Sequence, residues 1–121
     1  MPRLLLAEDE PVLRMLVCDT LEDEGYEIDV ACDGEEAMEK IKLTSYDLLI
    51  LDYMMPRLSG LDVLVRARAL PGGDRFKILM LSAKNQLTDK EKTAAAGADD
   101  FMSKPFSPLA LSAKIEEMLH A

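Results

Sequence analysis

Hydrophobic residues in this chain fall into two kinds of run. The first kind is short and nearly unbroken: Leu4-Leu5-Leu6, Leu48 through Leu51, and Phe76 to Leu81. Consecutive large aliphatics cannot alternate between a wet and a dry face. Each run therefore reads as a strand buried on both sides, central in a parallel sheet covered by helices. Tyr26 to Ala31 alternates instead, with Tyr26, Ile28 and Val30 against Glu27 and Asp29, and this predicts an edge strand. A further short strand is predicted over Asp99 to Met102.

The second kind of run recurs at helical spacing. Pro11 suits the first turn of a helix whose inward stripe is Leu13, Leu16, Val17, Thr20 and Leu21, ended by Gly25. Asp33-Gly34-Glu35-Glu36 resembles a capping box and opens a helix to about Leu43. Ser59 or Gly60 opens another to about Leu70, where Pro71-Gly72-Gly73 breaks it. Thr88 with Glu91 is a second capping-box candidate. Its helix has an inner face of mostly Ala94, Ala95 and Ala96, thin enough to make it the most loosely held. Ser107-Pro108 caps the last helix, packed through Leu111, Ile115, Met118 and Leu119. Five strands alternating with five helices through short connections predict one α/β domain over residues 1–121. Its sheet should be parallel, with right-handed crossovers and helices on both faces.

Composition narrows the function classes. A 121-residue chain with 49% hydrophobic and 31% charged residues is an ordinary globular domain, long enough to bury a core. A net charge of −9 argues against this domain gripping nucleic acid and suits a cation site. Cys18 and Cys32 lack CxxC spacing and sit in apolar patterns, which predicts small buried thiols in a reducing compartment. No apolar run approaches the ~20 residues of a membrane span. Met1-Pro2-Arg3 leads straight into a strand without signal-peptide architecture, so the expected location is cytoplasmic.

The chemistry lies where the strands stop. Leu48 to Leu51 runs directly into Asp52, and Pro56 and Gly60 turn the chain at once. The other strands end in Glu8 and Asp9, in Ser82, and in Lys104. In a parallel sheet these ends share one edge, where ligands of open α/β sheets collect. Any one strand-end acid would suit a helix cap, but one polar group per strand end is a constellation. Three converging carboxylates repel unless protonated or neutralised, and a hard divalent ion such as Mg²⁺ is the natural neutraliser. Lys104 adds a positive charge and Ser82 a hydroxyl. Together they form a place for a phosphoryl group, with Asp52 as nucleophile.

Four separated motifs in order carry a resemblance over essentially the whole chain: Glu8-Asp9, the LDYMMPRLSG segment around Asp52, Ser82-Ala83, and AGADDFMSKPF from Ala96 to Phe106. The chain resembles a CheY-like receiver domain of two-component response regulators. That resemblance implies a flavodoxin-like, doubly wound sheet of order 2-1-3-4-5. It implies that Asp52 accepts a phosphoryl group from a sensor histidine kinase or histidine phosphotransfer protein. Asp9 and Asp52 would ligate Mg²⁺ (or Mn²⁺), with Glu8 acting through water and the Met54 carbonyl as a further ligand. Ser82 and Lys104 would hold the phosphoryl oxygens, Phe101 would be the switch aromatic, and Lys104–Pro105 would be cis. Met54 and Lys84 resemble positions that tune phosphoryl lifetime. The implied partners are the kinase and a downstream target or C-terminal output domain, reached through the fourth helix, fifth strand and fifth helix. A phosphorylation-dependent dimer belongs to the same expectation. No membrane contact is expected.

Departures are mild: Glu8 for the commoner Asp, Ser82 for Thr, Phe101 for Tyr. A flavin-binding reading is rejected because the first strand feeds Glu8-Asp9-Glu10, which would repel a cofactor phosphate. An aspartyl-phosphate phosphohydrolase would need a second Asp where Met54 stands, so the chain is not expected to be an enzyme beyond slow self-modification. A degenerate binding module is disfavoured because every chemical position is filled.

Overall fold

A computed structural model describes residues 2–83 and 87–120, with backbone alone at 87 and 88. Its elements run β1 (Arg3–Ala7), α1 (Pro11–Asp23), β2 (Glu27–Ala31), α2 (Gly34–Leu43), β3 (Leu48–Asp52), α3 (Gly60–Arg68), β4 (Lys77–Ser82), α4 (Leu87–Ala96), β5 (Asp100–Ser103) and α5 (Pro108–Leu119). The strands form one parallel sheet in the order β2-β1-β3-β4-β5. The alternating Tyr26–Ala31 segment thus supplies an edge strand, as its pattern predicts.

The unbroken aliphatic runs serve two cores at once. Leu5, Ala7, Leu49, Leu51, Ile78 and Met80 face α2 and α3 through Ala37, Met38, Ile41, Val63, Leu64 and Ala67. Leu4, Leu6, Leu48, Ile50, Leu79 and Leu81 face α1 and α5 through Val17, Leu21, Leu111, Ile115 and Met118. Strand β3 is buried along its whole length, so its last residue is held by a rigid element. Helix starts follow their caps. Ser59 and Asp62 complete a capping box on α3, and the Ser107 hydroxyl accepts from Ala110 N–H. At α2, Asp33 accepts from Glu36 N–H, while Glu36 reaches one residue further back and accepts from Cys32 N–H. Among the described residues, no helix is long and apolar enough to cross a membrane.

Three expectations are corrected. Leu16 is 42% exposed; α1 turns the line Leu13, Val17, Leu21 inward, which rotates Leu16 away from the sheet. Ala94 and Ala95 face outward. Among the described side chains, the inner side of α4 is Thr93, fully buried with its hydroxyl donating to the Lys90 carbonyl at 3.0 Å, and partly Ala96. Cys32 is exposed and Cys18 only half-buried, because Cys32 sits past the end of β2 in the turn that α2 caps. The Thr88 side chain of the second capping-box candidate lies outside the described residues.

One hub has no signature in the pattern. Arg68, the last residue of α3, donates to the carbonyls of Gly97, Gly73 and Phe76 and to the Asp99 carboxylate at 2.8–3.0 Å. Its guanidinium also lies 5.2 Å from the Phe76 ring centre. Asp99 in turn accepts from Ile78 N–H at 2.8 Å. This clasp fastens the end of α4 and the start of β5 to α3 and β4. Removing it strands the partly buried carbonyls of Gly73 and Phe76 along with the Gly97 and Asp99 contacts, so Arg68→Ala should cost about 2–4 kcal/mol in urea unfolding. Arg68→Lys should recover less than half of that, since one ammonium cannot span the fork. A loss below about 0.5 kcal/mol would show the clasp to be dispensable.

Candidate functional site

The carboxyl edge of the sheet brings together residues from four connections. The β1 ladder continues one residue further, where Glu8 N–H donates to the Ala31 carbonyl at 3.0 Å. This draws the Glu8 side chain fully out of solvent. Asp52 ends β3 opposite Leu81 and is 4% exposed. It is crowded from behind, since a Cβ at Gly60 would collide with the Asp52 carbonyl. Ser82 ends β4 and is buried, and its carbonyl accepts from Lys104 N–H at 2.6 Å. The Lys104–Pro105 peptide bond is cis.

Lys104 closes the cluster. Its ammonium lies 3.0 Å from Glu8 Oε1 and 3.1 Å from Asp52 Oδ2, and its side chain is 17% exposed. Glu8 Oε2 accepts from Glu10 N–H at 3.2 Å, and the Glu8 carbonyl accepts from Arg14 at 2.8 Å. Asp9 is exposed, yet carboxylate oxygens of Glu8, Asp9 and Asp52 lie within 4.8 Å of one another. The donor set is all oxygen, with no Cys or His in it. Such a set suits a hard cation such as Mg²⁺ and not a soft metal.

The electrostatics follow from burial. Desolvation pushes the Glu8 carboxyl up from 4.5 to about 7; the Lys104 hydrogen bond opposes this, and the neighbouring Asp52 carboxylate adds to it. For Lys104, burial pulls the ammonium down, but the hydrogen bond to Glu8 and the charges of Asp52 and Glu8 outweigh it, so its pKa is raised. One ammonium thus faces two buried carboxylates, an arrangement short of positive charge.

Other sequence-predicted residues lie around this centre. Met54, two residues past Asp52, is 69% exposed. Phe101 is half-buried on β5, against the core under α2 and α3, and lines a cavity of about 120 Å³ with Thr93 and Ala94. Lys84 lies outside the described residues. Sequence reasoning missed Arg14 and the Glu10 amide, whose roles in orienting Glu8 depend on the turn into α1. It named Gly60 as a turn and a helix start, where the structure also makes it a close-approach point.

The chain matches the family model of the response regulator receiver domain over residues 4–116. It is 39% identical over 119 residues to the phosphate regulon transcriptional regulatory protein PhoB of Rhizobium meliloti, covering 98% of this chain and 52% of that protein. The chain spans about half the length of the curated relatives it matches. Among solved structures, the chemotaxis response regulator CheY4 of Vibrio cholerae superposes with a TM-score of 0.93 at 31% identity, covering 98% of both chains. The receiver domain of the sensor histidine kinase PA1611 from Pseudomonas aeruginosa PAO1, described with a magnesium ion coordinated in its active site cleft, gives 0.91 at 28% identity, covering 99% and 98%.

The Glu8 shift has a measurable consequence. A carboxyl whose value is higher folded than unfolded stabilises the fold fully below pH 4.5, and that contribution is lost as pH rises through about 7. In metal-free buffer the parent should therefore lose about 3 kcal/mol relative to Glu8→Gln between pH 4.5 and pH 8. Denaturant unfolding of both proteins across that range measures it. A difference that stays constant with pH would refute the assignment.

Proposed function

Because this chain belongs to the response regulator receiver domain family, we propose that it is a phosphorylation-dependent signalling switch with Asp52 as the phosphoacceptor. The observation that carries the reading is Lys104, held between Glu8 and Asp52 with Asp9 alongside. The domain is assigned to residues 1–121.

An oxygen of Asp52 attacks phosphorus in line, the P–N bond of a phosphohistidine breaks as the new P–O bond forms, and the imidazole leaves with the bonding pair and is protonated by water. Asp9 and Asp52 would hold Mg²⁺ (or Mn²⁺) with the Met54 carbonyl, and Glu8 would act through water. All three carboxylates lie within 4.8 Å of one another, near enough to share one hard ion's shell directly or through water. The ion, when bound, offsets carboxylate repulsion and draws charge from the phosphoryl oxygens. Ser82 donates a hydroxyl to one oxygen and Lys104 an ammonium to another, and the low exposure of both limits competing water.

The added charge draws Ser82 and Lys104 toward the phosphoryl group. Phe101 can then turn into the space that Ser82 vacates, beside an α4 in which Thr93 is buried. The face of α4, β5 and α5 changes shape and is read by a target or an output domain. The donor is a sensor histidine kinase or phosphotransfer protein, the setting is cytoplasmic, and turnover is limited to slow self-dephosphorylation.

Incubation with acetyl phosphate and Mg²⁺ should add one phosphoryl group by intact mass, and Asp52→Asn should abolish it. Unchanged labelling of that variant would reject the site. Lifetime is a separate expectation. Exposed, flexible Met54 can lie over the approach to phosphorus without orienting a water. Met54→Asn should shorten the first-order decay by several-fold, roughly 1 kcal/mol of barrier. Decay as slow as the parent's would mean that Met54 does not shield the site.

A further inference from the structure

The chain leaving Asp52 makes a strained turn before α3. Leu58 N–H donates to the Pro56 carbonyl at 2.9 Å, and Arg57 between them has φ +71°. An i to i+2 hydrogen bond about a positive-φ residue is the rarer and more strained form of γ-turn. A non-glycine residue stays there only where its surroundings over-determine it.

Those surroundings belong to the first turn of α2. Gly34 N–H donates to the same Pro56 carbonyl at 3.5 Å. A Cβ at Gly34 would overlap the carbonyl and Cβ of Leu58. Gly34 has no positive φ, so its missing side chain serves this close approach and not its own backbone conformation. The Arg57 side chain reaches Asp33 at 3.5 Å and Glu35 at 3.8 Å. These ion pairs are exposed and individually weak, which leaves the backbone contact at Gly34 as the stiff element.

The loop is also pinned at its base. Tyr53 N–H donates to the Leu81 carbonyl at 2.7 Å, and Gly60 N–H donates to the Tyr53 carbonyl at 2.9 Å. With the base closed, the course of residues 54–59 depends on where the tip rests. We propose that Gly34 is a positioning residue of the Asp52 site: by seating the Pro56–Leu58 turn against α2, it sets the placement of the Met54 carbonyl. The inference rests on the reading of that carbonyl as a metal ligand.

Calorimetric Mg²⁺ titration, well below the melting temperature, tests it. Gly34→Ala should weaken Mg²⁺ binding by about tenfold, as for groups that orient a ligand. Gly73→Ala is the control, because a Cβ there would collide as closely with the Ala67 and Arg68 carbonyls, at the amino end of β4. It should lower the melting temperature and leave Mg²⁺ affinity intact. A pair of variants at 57 covers the case in which Gly34→Ala does not fold. Arg57→Gly and Arg57→Val both lose the guanidinium, but only valine resists φ +71°. The valine variant should bind Mg²⁺ several-fold more weakly than the glycine variant. Equal affinities in that pair, or equal losses in the Gly34 and Gly73 variants, would overturn the proposal. A parent that binds no Mg²⁺ would remove the metal reading itself, and this inference with it, before any variant is compared.

Discussion

The Lys104 ammonium, 3.0 Å from Glu8 and 3.1 Å from Asp52, is the contact on which the rest of the arrangement depends. Two carboxylates drawn into a nearly water-free edge would repel each other strongly without it. Breaking such a buried group by removing one partner typically costs several kcal/mol, because an uncompensated charge is left behind. Above about pH 7, where Glu8 is ionised, one positive charge against two negative ones, with Asp9 close by, does not complete the neutralisation. The edge is held together and left with a remaining demand for positive charge. On the proposed reading, a divalent ion meets that demand, and an incoming phosphoryl group then competes for the same ammonium.

The frame around this centre is unequal in stiffness. β3 is buried on both faces and hydrogen-bonded on both sides, so Asp52 moves little relative to the sheet. α4 is held differently. Among its described side chains the inner side offers Thr93 and part of Ala96, while its end is fastened through the Gly97 carbonyl to Arg68. A segment with little buried apolar area opens at low free energy, and a fastened end confines where that opening can occur. On the proposed reading the chemistry sits on the buried β3 and the readout on a helix whose described inner face is thin.

Much of this is legible in the sequence itself. An aliphatic run with no alternation, such as Leu48 to Leu51, has one stable setting in a domain of this size. A carboxylate placed at its end must then emerge at the sheet edge. The same logic applied to Leu4–Leu6 and Phe76–Leu81 put Glu8, Asp9 and Ser82 on that edge. Helix pattern was less informative about rotation. A stripe broad enough to include both Leu16 and Val17 admits several settings about the helix axis, and packing between the sheet and α5 selected the one that exposes Leu16. The alanine run of α4 was more ambiguous still, since three adjacent alanines carry no directional signal, and the buried position went to Thr93.

Local sequence determined the elements, their caps and the order in which polar groups arrive at the strand ends, because those follow from periodicity and backbone chemistry within a few residues. It brought Lys104 to the same edge as Glu8 and Asp52 but left open which atoms pair. The Lys104 contact to Glu8 spans 96 residues, and Arg68 reaches Gly97 across 29. The Arg57 turn against Gly34 likewise joins two different strand-to-helix connections. Such pairings are set by how twisted strands and packed helices fill space, a property of the whole chain that no window of neighbouring residues contains.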